Sequence, residues 1–320
     1  MVHVLVLGAT PDDPPQGLPE TDTGATYAFA DEAETLAVAL PTADAILHWS
    51  NRTSLLRAAW PAAARLRWIH ATGIGIEWSL FPELVESDVI LTNCRGVFDE
   101  TLPEYVLALL LALAKDLHAM VRDQDARRWR HRPLRALVGQ RATVVGAGSL
   151  GRATARLLRS IGMGVILVGR RGRDDPDDGP IRAAEDLPTI LPQTDALVLI
   201  TPLTAQTRGL IDADALGALP DGALIVNMGR GPVLDEAALV EELRSGRLGG
   251  AALDVFEVEP LPLASPLWGL PNVIVSPHIG GDVPGWEGWF SRSFLEELLR
   301  FVAGEPLRNV VDKRLGYAPL

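Results

Sequence analysis

Gly146-Ala147-Gly148-Ser149-Leu150-Gly151 is the stretch that decides the fold. The apolar run Ala142-Thr143-Val144-Val145 predicts a buried strand that stops at the first glycine. Ser149 to Ser160 predicts a helix, with Leu150, Ala153, Ala155, Leu157 and Leu158 at the apolar positions. A glycine string of this kind is loose by itself. Strand, glycine turn and helix in that order are what a dinucleotide needs. The first glycine makes the tight turn, the second lets backbone approach a pyrophosphate, and the third lets helix pack close to strand. The amides at the helix N-terminus, around Ser149 and Leu150, then face the phosphates. An ordinary tight strand–helix turn is the alternative.

The next predicted strand, Val165-Ile166-Leu167-Val168, ends in Gly169-Arg170-Arg171-Gly172-Arg173. An NAD site places Asp or Glu near this point, about 20 residues past the glycines, to accept the ribose 2′-hydroxyl. Arginines stand there instead, and a guanidinium matches a phosphate with two parallel hydrogen bonds. Arg170 and Arg171 therefore favour NADP as cofactor, with NAD still open; a solvated basic turn is the alternative. Asp174 and Asp175 fall after the strand end.

The chain has 320 residues, a length that suggests two domains. With 48% apolar and 22% charged residues it has the composition of a soluble globular protein. A net charge of −12 argues against nucleic acid as a partner. Arg122, Arg127, Arg128, Arg130, Arg132 and Arg135 cluster, and read as a solvated or subunit-contact surface rather than a phosphate track. Cys94 is the sole cysteine, so no intrachain disulfide is possible, and a reducing, cytoplasmic setting is expected. Met1 to Leu7 reads as a first strand, not a signal peptide. The longest apolar run, Val106 to Ala114, is too short for a bilayer, so no membrane partner is expected. The six histidines are scattered, and no metal is expected.

Strands are predicted at Val2–Leu7, Ala45–Trp49, Trp68–Ala71 and Val89–Thr92, with helices around 31–40 and 53–63 between them. Thr101 to Met120 reads as one long bridging helix. Six strands follow, at 142–146, 164–168, 195–200, 223–227, 250–254 and 273–276, which suits a doubly wound sheet of order 3-2-1-4-5-6. A last helix, Phe290 to Ala303, carries an apolar stripe of Phe294, Leu298, Phe301 and Val302 and is expected to return to the first domain. The Pro/Asp/Gly segments near 11–24 and 172–180 read as surface loops. The expected organisation is an α/β protein. A cofactor domain spans 101–284, and a smaller discontinuous substrate domain comprises 1–100 and 285–320. A substrate cleft is expected between them.

Ligands of open α/β sheets sit beyond the carboxyl ends of the strands. The strand ending at Asn227 is followed by Met228-Gly229-Arg230-Gly231. The next ends in Asp254, with Glu259 five residues on, and the last is followed by Ser276-Pro277-His278-Ile279-Gly280-Gly281. Arg230, Glu259 and His278 thus come from three adjacent strand ends. An arginine fork clamps the carboxylate of a 2-oxo acid. Histidine gives a proton to the developing alkoxide near neutral pH. A carboxylate beside that histidine orients its ring. Taken singly, each of these residues has a bland alternative: an exposed turn, a helix cap or plain surface.

These segments resemble the D-isomer-specific 2-hydroxyacid dehydrogenases. The likeness runs through Val145 to Gly151, Thr201-Pro202-Leu203-Thr204, Asn227 to Gly231, Ala252 to Pro260 and Ser276 to Gly281, and spans nearly the whole chain. It implies a Rossmann cofactor domain with a flavodoxin-like substrate domain, and a homodimer formed largely through the cofactor domain. It implies Arg230, Glu259 and His278 as the catalytic trio, and Asp254 as a contact to the nicotinamide amide. Thr201, Pro202, Met228, Gly229 and Gly280 would join the glycines at the cofactor. Ile74 and Gly75 would offer backbone amides to the substrate carboxylate. Thr101 would touch the cofactor, although Leu102-Pro103 stands where Ala-Glu commonly follows that threonine. Trp49, Trp286 and Trp289 are pocket candidates, with packing as the alternative. The expected activity is NADPH-preferring reduction of glyoxylate, hydroxypyruvate or a larger 2-oxo acid. The alternatives are a formate or phosphite dehydrogenase of the same fold, the formate enzyme disfavoured by Glu259, and a cofactor-sensing binding protein like the corepressors on this scaffold.

Overall fold

The computed structural model describes residues 1–18 and 23–319, so the loop expected near 11–24 lies in part, at 19–22, outside the described residues. The chain divides into two compact units, Met1–Val97 with Val283–Leu320, and Phe98–Asp282.

The first unit holds β1 (Val2–Leu7), β2 (Ala25–Ala30), β3 (Ala45–His48), β4 (Trp68–Ala71) and β5 (Ile90–Asn93), with helices α1 (Ala33–Ala39), α2 (Thr53–Ala59) and α3 (Pro82–Val85) between them. Every pairing is parallel and the order is β2-β1-β3-β4-β5, the flavodoxin-like arrangement. β3 and β4 are buried along their whole length, and they read in sequence as short apolar runs. β2 was not predicted. Its Ala-Thr-Tyr-Ala-Phe-Ala sequence is poor in branched residues, and pairing with β1 makes it an edge strand.

The second unit opens with α4 (Thr101–Ala114) and α5 (Leu117–Asp125). The single long helix expected there breaks at Asp116, whose φ is 54°. Aspartate tolerates that left-handed conformation, and Arg132 holds its carboxylate. Then come β6 (Arg141–Val145), α6 (Ser149–Ser160), β7 (Gly164–Gly169), β8 (Arg173–Asp175), β9 (Gly179–Ala183), α7 (Leu187–Ile190), β10 (Ala196–Leu199), α8 (Ala213–Ala218), β11 (Leu224–Asn227), α9 (Glu236–Arg244), β12 (Gly250–Leu253) and β13 (Val273–Val275). The sheet order is β13-β12-β11-β10-β6-β7-β9-β8, parallel except for β8 at one edge.

This corrects the six-strand expectation. The 172–180 segment is not merely loop, since it supplies β8 and the start of β9. β9 takes the position beyond β7 that the sequence assigned to 195–200, and β10 instead pairs with β6 on the other side. The reason is tertiary. Asp178 is fully buried and faces Arg152 at 3.1 Å, Arg156 at 3.3 Å and Arg159 at 3.6 Å, while Arg152 also grips Asp175 at 2.6 Å. This clamp pins the polar hairpin to α6. The strand count shifts, yet β11, β12 and β13 remain neighbours, so their carboxyl ends stay side by side.

The arginine-rich segment is in part internal. Arg132 and Arg128 bind Asp123, each at 3.1 Å, and Arg135 donates to the carbonyl of Gly222. The last helix, α10 (Trp286–Ala303), belongs to the first unit. Phe294 and Leu298 are buried and Phe294 stacks on Trp68 at 5.3 Å, but Val302 is exposed and leaves the expected stripe. Among the described residues, no helix is long and apolar enough to cross a membrane, and no group of His, Cys, Asp or Glu is arranged to hold a metal ion.

Candidate active site

The three glycines of the fingerprint answer to three different geometries. Gly146 has φ of 124°, and a Cβ there would stand 2.4 Å from the carbonyl oxygen of Ile200, the residue after β10. A Cβ on Gly151 would lie 1.6 Å from the oxygen of Gly146, so this glycine lets α6 sit against the turn. A Cβ on Gly148 would meet nothing within 4 Å. That position is open where backbone must approach a pyrophosphate, so the cradle fits a dinucleotide. Ser149 and Leu150 open α6 beside it. The turn lies at the carboxyl end of β6 beside β10, where the strand order reverses, the switch point at which ligands of such sheets bind.

From there the residues beyond each strand step across the sheet. Ile200 N donates to Val145 O at 2.8 Å, Met228 N to Leu199 O at 2.9 Å, Asp254 N to Asn227 O at 3.1 Å, and Ser276 N to Leu253 O at 2.9 Å. Each strand end thus fixes the next. Asn227 braces the arginine turn, accepting from Gly229 N at 3.1 Å and donating to Arg230 O at 3.2 Å. Gly229 backs onto Thr201, where a Cβ would be 2.7 Å from the Thr201 oxygen, and Gly231 onto the backbone of Phe256. Between them Arg230 Nη1 donates to Gly229 O at 2.7 Å. Pro202 O accepts from Thr207 Oγ1 at 2.6 Å, which braces the loop after β10.

His278 sits on the loop after β13 with φ of 56°, a left-handed conformation in which His is enriched. Its Nδ1 meets Glu259 Oε2 at 2.7 Å, while Glu259 Oε1 accepts from Phe256 N at 3.0 Å. The carboxylate is therefore held by backbone on one oxygen and holds the ring with the other. Both side chains remain accessible, His278 at 49% and Glu259 at 36% exposure. Asp254 is buried. Its Oδ1 accepts from Ser276 Oγ and from Ile279 N at 3.0 Å, and its Oδ2 from Gly280 N at 3.0 Å. Gly280 is tight against Met228 Cε, which a Cβ would approach to 2.2 Å. Asp254, expected as a nicotinamide contact or a helix cap, fastens the loop that carries His278.

Two further groups, unassigned by sequence reasoning, belong here. Tyr105 on α4 shares a hydrogen bond of 2.7 Å with Ser276 Oγ, one helical turn after Thr101. Thr101 Oγ1 itself is buried without a partner among the described residues, as a cofactor contact would leave it. Asp282 is the other group. Desolvation, then the negative charge of Asp254, hold its carboxyl above the usual range, with His278 pulling the other way.

On the ribose side, Arg170 and Arg171 are exposed beyond β7. Arg173 Nη1 lies 3.4 Å from where a Gly169 Cβ would stand, and Ala147 Cβ lies 3.2 Å from the same point. In the first unit, the loop carrying Ile74 and Gly75 follows β4 and is anchored by Asn93 Nδ2 on Ile74 O at 2.8 Å and by Cys94 N on Gly73 O at 3.0 Å. Trp49 is half-buried, its carbonyl accepting from Thr72 Oγ1 at 2.7 Å.

A family model described as "D-isomer specific 2-hydroxyacid dehydrogenase, NAD binding domain" matches residues 107–280. A glyoxylate/hydroxypyruvate reductase B of Pectobacterium atrosepticum is 32% identical over 79% of this chain and 81% of the relative. A glyoxylate/hydroxypyruvate reductase A of Salmonella newport is 31% identical over 86% of this chain and 88% of the relative. Among solved structures, a D-isomer specific 2-hydroxyacid dehydrogenase from Xanthobacter autotrophicus, in complex with NADPH and MES, superposes with a TM-score of 0.81 at 31% identity, covering 99% of this chain and all of that one. An NADPH-dependent glyoxylate/hydroxypyruvate reductase from Sinorhizobium meliloti, in complex with NADP and sulfate, gives a TM-score of 0.84 at 27% identity, with 99% and 100% coverage. The chain belongs to the D-isomer specific 2-hydroxyacid dehydrogenase family.

Proposed function

We propose that this chain is a 2-oxoacid reductase that uses NADPH and forms the D-2-hydroxy acid. The observation that carries the reading is the 2.7 Å contact of His278 Nδ1 with Glu259, on a loop locked to Asp254 at the carboxyl ends of β12 and β13. NADPH-bound and NADP-bound relatives support the cofactor, as do Arg170 and Arg171 in place of an acid.

The reduced nicotinamide, when bound, supplies a hydride to C2 of the 2-oxo acid. The glycine turn and the first amides of α6 hold the pyrophosphate. Arg170 and Arg171 take the 2′-phosphate. Arg230 receives the substrate carboxylate and carbonyl oxygen in its fork, and the Ile74 and Gly75 amides assist. Glu259 engages Nδ1 of His278, which leaves Nε2 to give its proton to the carbonyl oxygen. The carbonyl thus gains a hydride at carbon and a proton at oxygen, and the products are the hydroxy acid and NADP⁺. The reverse reaction uses the same groups with His278 as base.

In this reading Phe98–Asp282 is the cofactor domain and the rest the substrate domain. We place the chain in the cytoplasm, with no disulfide to maintain. A homodimer through the second unit is supported by the exposed apolar side chains of Leu117, Val121, Trp129, Leu134 and Val138. Turnover of NADPH with a panel of 2-oxo acids tests the activity. Tight NADPH binding without turnover of any acid would instead support a cofactor-sensing protein.

A further inference from the structure

The first unit contains a cavity of about 420 Å³, formed by residues after β3, the loop after β4 and the start of α10. Its walls include Trp49, Trp78, Trp286 and Phe290, together with Thr72 and the exposed Glu287. These walls are fixed. Trp286 packs edge-on to Phe290 at 5.0 Å, and Trp78 edge-on to His48 at 4.6 Å. Thr53 Oγ1 donates to the Trp78 carbonyl at 2.5 Å. Thr72, itself a wall of the cavity, donates to the Trp49 carbonyl and opens the segment Thr72-Gly73-Ile74-Gly75, whose amides are proposed above for the substrate carboxylate.

The size and lining select a side chain. Pockets of roughly 300–1,000 Å³ suit ligands far larger than a two- or three-carbon acid. Aromatic walls reward an aromatic guest through stacked and edge-on contacts. Among the described lining residues none is cationic, while Glu287 is an exposed carboxylate, which disfavours an acidic side chain. We propose that the 2-oxo acid reduced by this chain carries an uncharged aromatic side chain, seated against Trp49, Trp78, Trp286 and Phe290. The proposal rests on the reductase reading and specifies its substrate.

The test is kcat/KM with NADPH for phenylpyruvate, glyoxylate, hydroxypyruvate and oxaloacetate. Phenylpyruvate should exceed glyoxylate and hydroxypyruvate by at least about tenfold, two or more aromatic contacts together supplying a decade. Trp286→Ala should cut the ratio of phenylpyruvate to glyoxylate by about tenfold. Glu287→Gln, a surface change that spares folding, should raise oxaloacetate relative to phenylpyruvate about threefold. A wild-type preference for glyoxylate or hydroxypyruvate overturns the proposal and leaves the reductase reading intact. So do substrate ratios unmoved by Glu287→Gln together with those unmoved by a folded Trp286→Ala. Turnover of no acid at all overturns the reductase reading itself.

Discussion

Gly148 and Gly151 stand three residues apart, and the same substitution should do opposite things to them. A Cβ on Gly151 lies 1.6 Å from the oxygen of Gly146, against backbone that cannot rotate away. Restoring a normal contact moves α6 off the turn by about 1.5 Å, in an interior packed as densely as a crystal. Overpacking of this kind costs about 3 kcal/mol. In a unit of this size that lowers Tm by roughly 6–12 °C. Gly148 has φ of −80° and nothing within 4 Å of its Cβ direction. Gly148→Ala therefore gains a little from the stiffer unfolded chain and loses a few tenths of a kcal/mol at the helix cap, for a net change within about 0.5 kcal/mol. Its methyl stands where the pyrophosphate should back onto the chain. Losing one charge-assisted contact there, about 1.5–3 kcal/mol, weakens NADPH by at least about tenfold. Thermal melts without cofactor and NADPH titration by fluorescence separate the two effects. A Gly148→Ala protein that binds NADPH like wild type would refute the cradle, and a Gly151→Ala protein that melts like wild type would refute the packing argument.

Arg230→Lys keeps the charge but loses the fork, so kcat/KM for the 2-oxo acid should fall by at least about tenfold while NADPH affinity stays put; steady-state kinetics with a cofactor titration decide it. Glu259→Gln removes the negative charge and leaves one acceptor oxygen for two donors, Phe256 N and the His278 ring, and kcat should drop by about 10²-fold with the fold and NADPH binding intact, as melts and titration would show. Arg170→Ala with Arg171→Ala should erase at least about a tenfold preference for NADPH over NADH, read as the ratio of catalytic efficiencies; equal use of both cofactors by the wild type would show that these arginines only face solvent. Burial pushes the rings of His48 and His70 down to about 3, so both enter the fold neutral. Their unfolded forms bind protons below about 6.5, so stability is present above that pH and drains away as pH falls. By pH 5 this amounts to about 2 kcal/mol for each ring, and Tm should fall between pH 7 and pH 5; an unchanged Tm would show that the rings gain protons inside the fold.

The parts of the fold legible in the sequence were those with a local cause. The glycine turn could be read because Gly151 answers to a contact a few residues away, Gly146 to one at the neighbouring β10, and Gly148 to the open approach a pyrophosphate needs. The placement of Arg230, Glu259 and His278 beyond neighbouring strand ends could be read because β11, β12 and β13 follow one another in both sequence and sheet. β9 could not, since its position comes from Asp178 meeting three arginines of α6; the spacing of Arg152, Arg156 and Arg159 along one helix face was visible, but its acidic partner was not. The break at Asp116 was hidden for the same reason, because Arg132 lies far along the chain.

Asp254 shows what this implies for the site. A carboxylate has about four acceptor positions, and three are filled by the Ser276 hydroxyl and the amides of Ile279 and Gly280. At most one remains for a nicotinamide amide. The filled three hold a loop on which His278 keeps a left-handed backbone, a conformation that costs about 1–3 kcal/mol and persists only when its surroundings over-determine it. Tyr105 extends that hold by sharing Ser276. A change at Asp254 should therefore disturb the His278 loop, and in the proposed mechanism the chain from Tyr105 through Ser276 and Asp254 to that loop is the positioning frame for proton transfer.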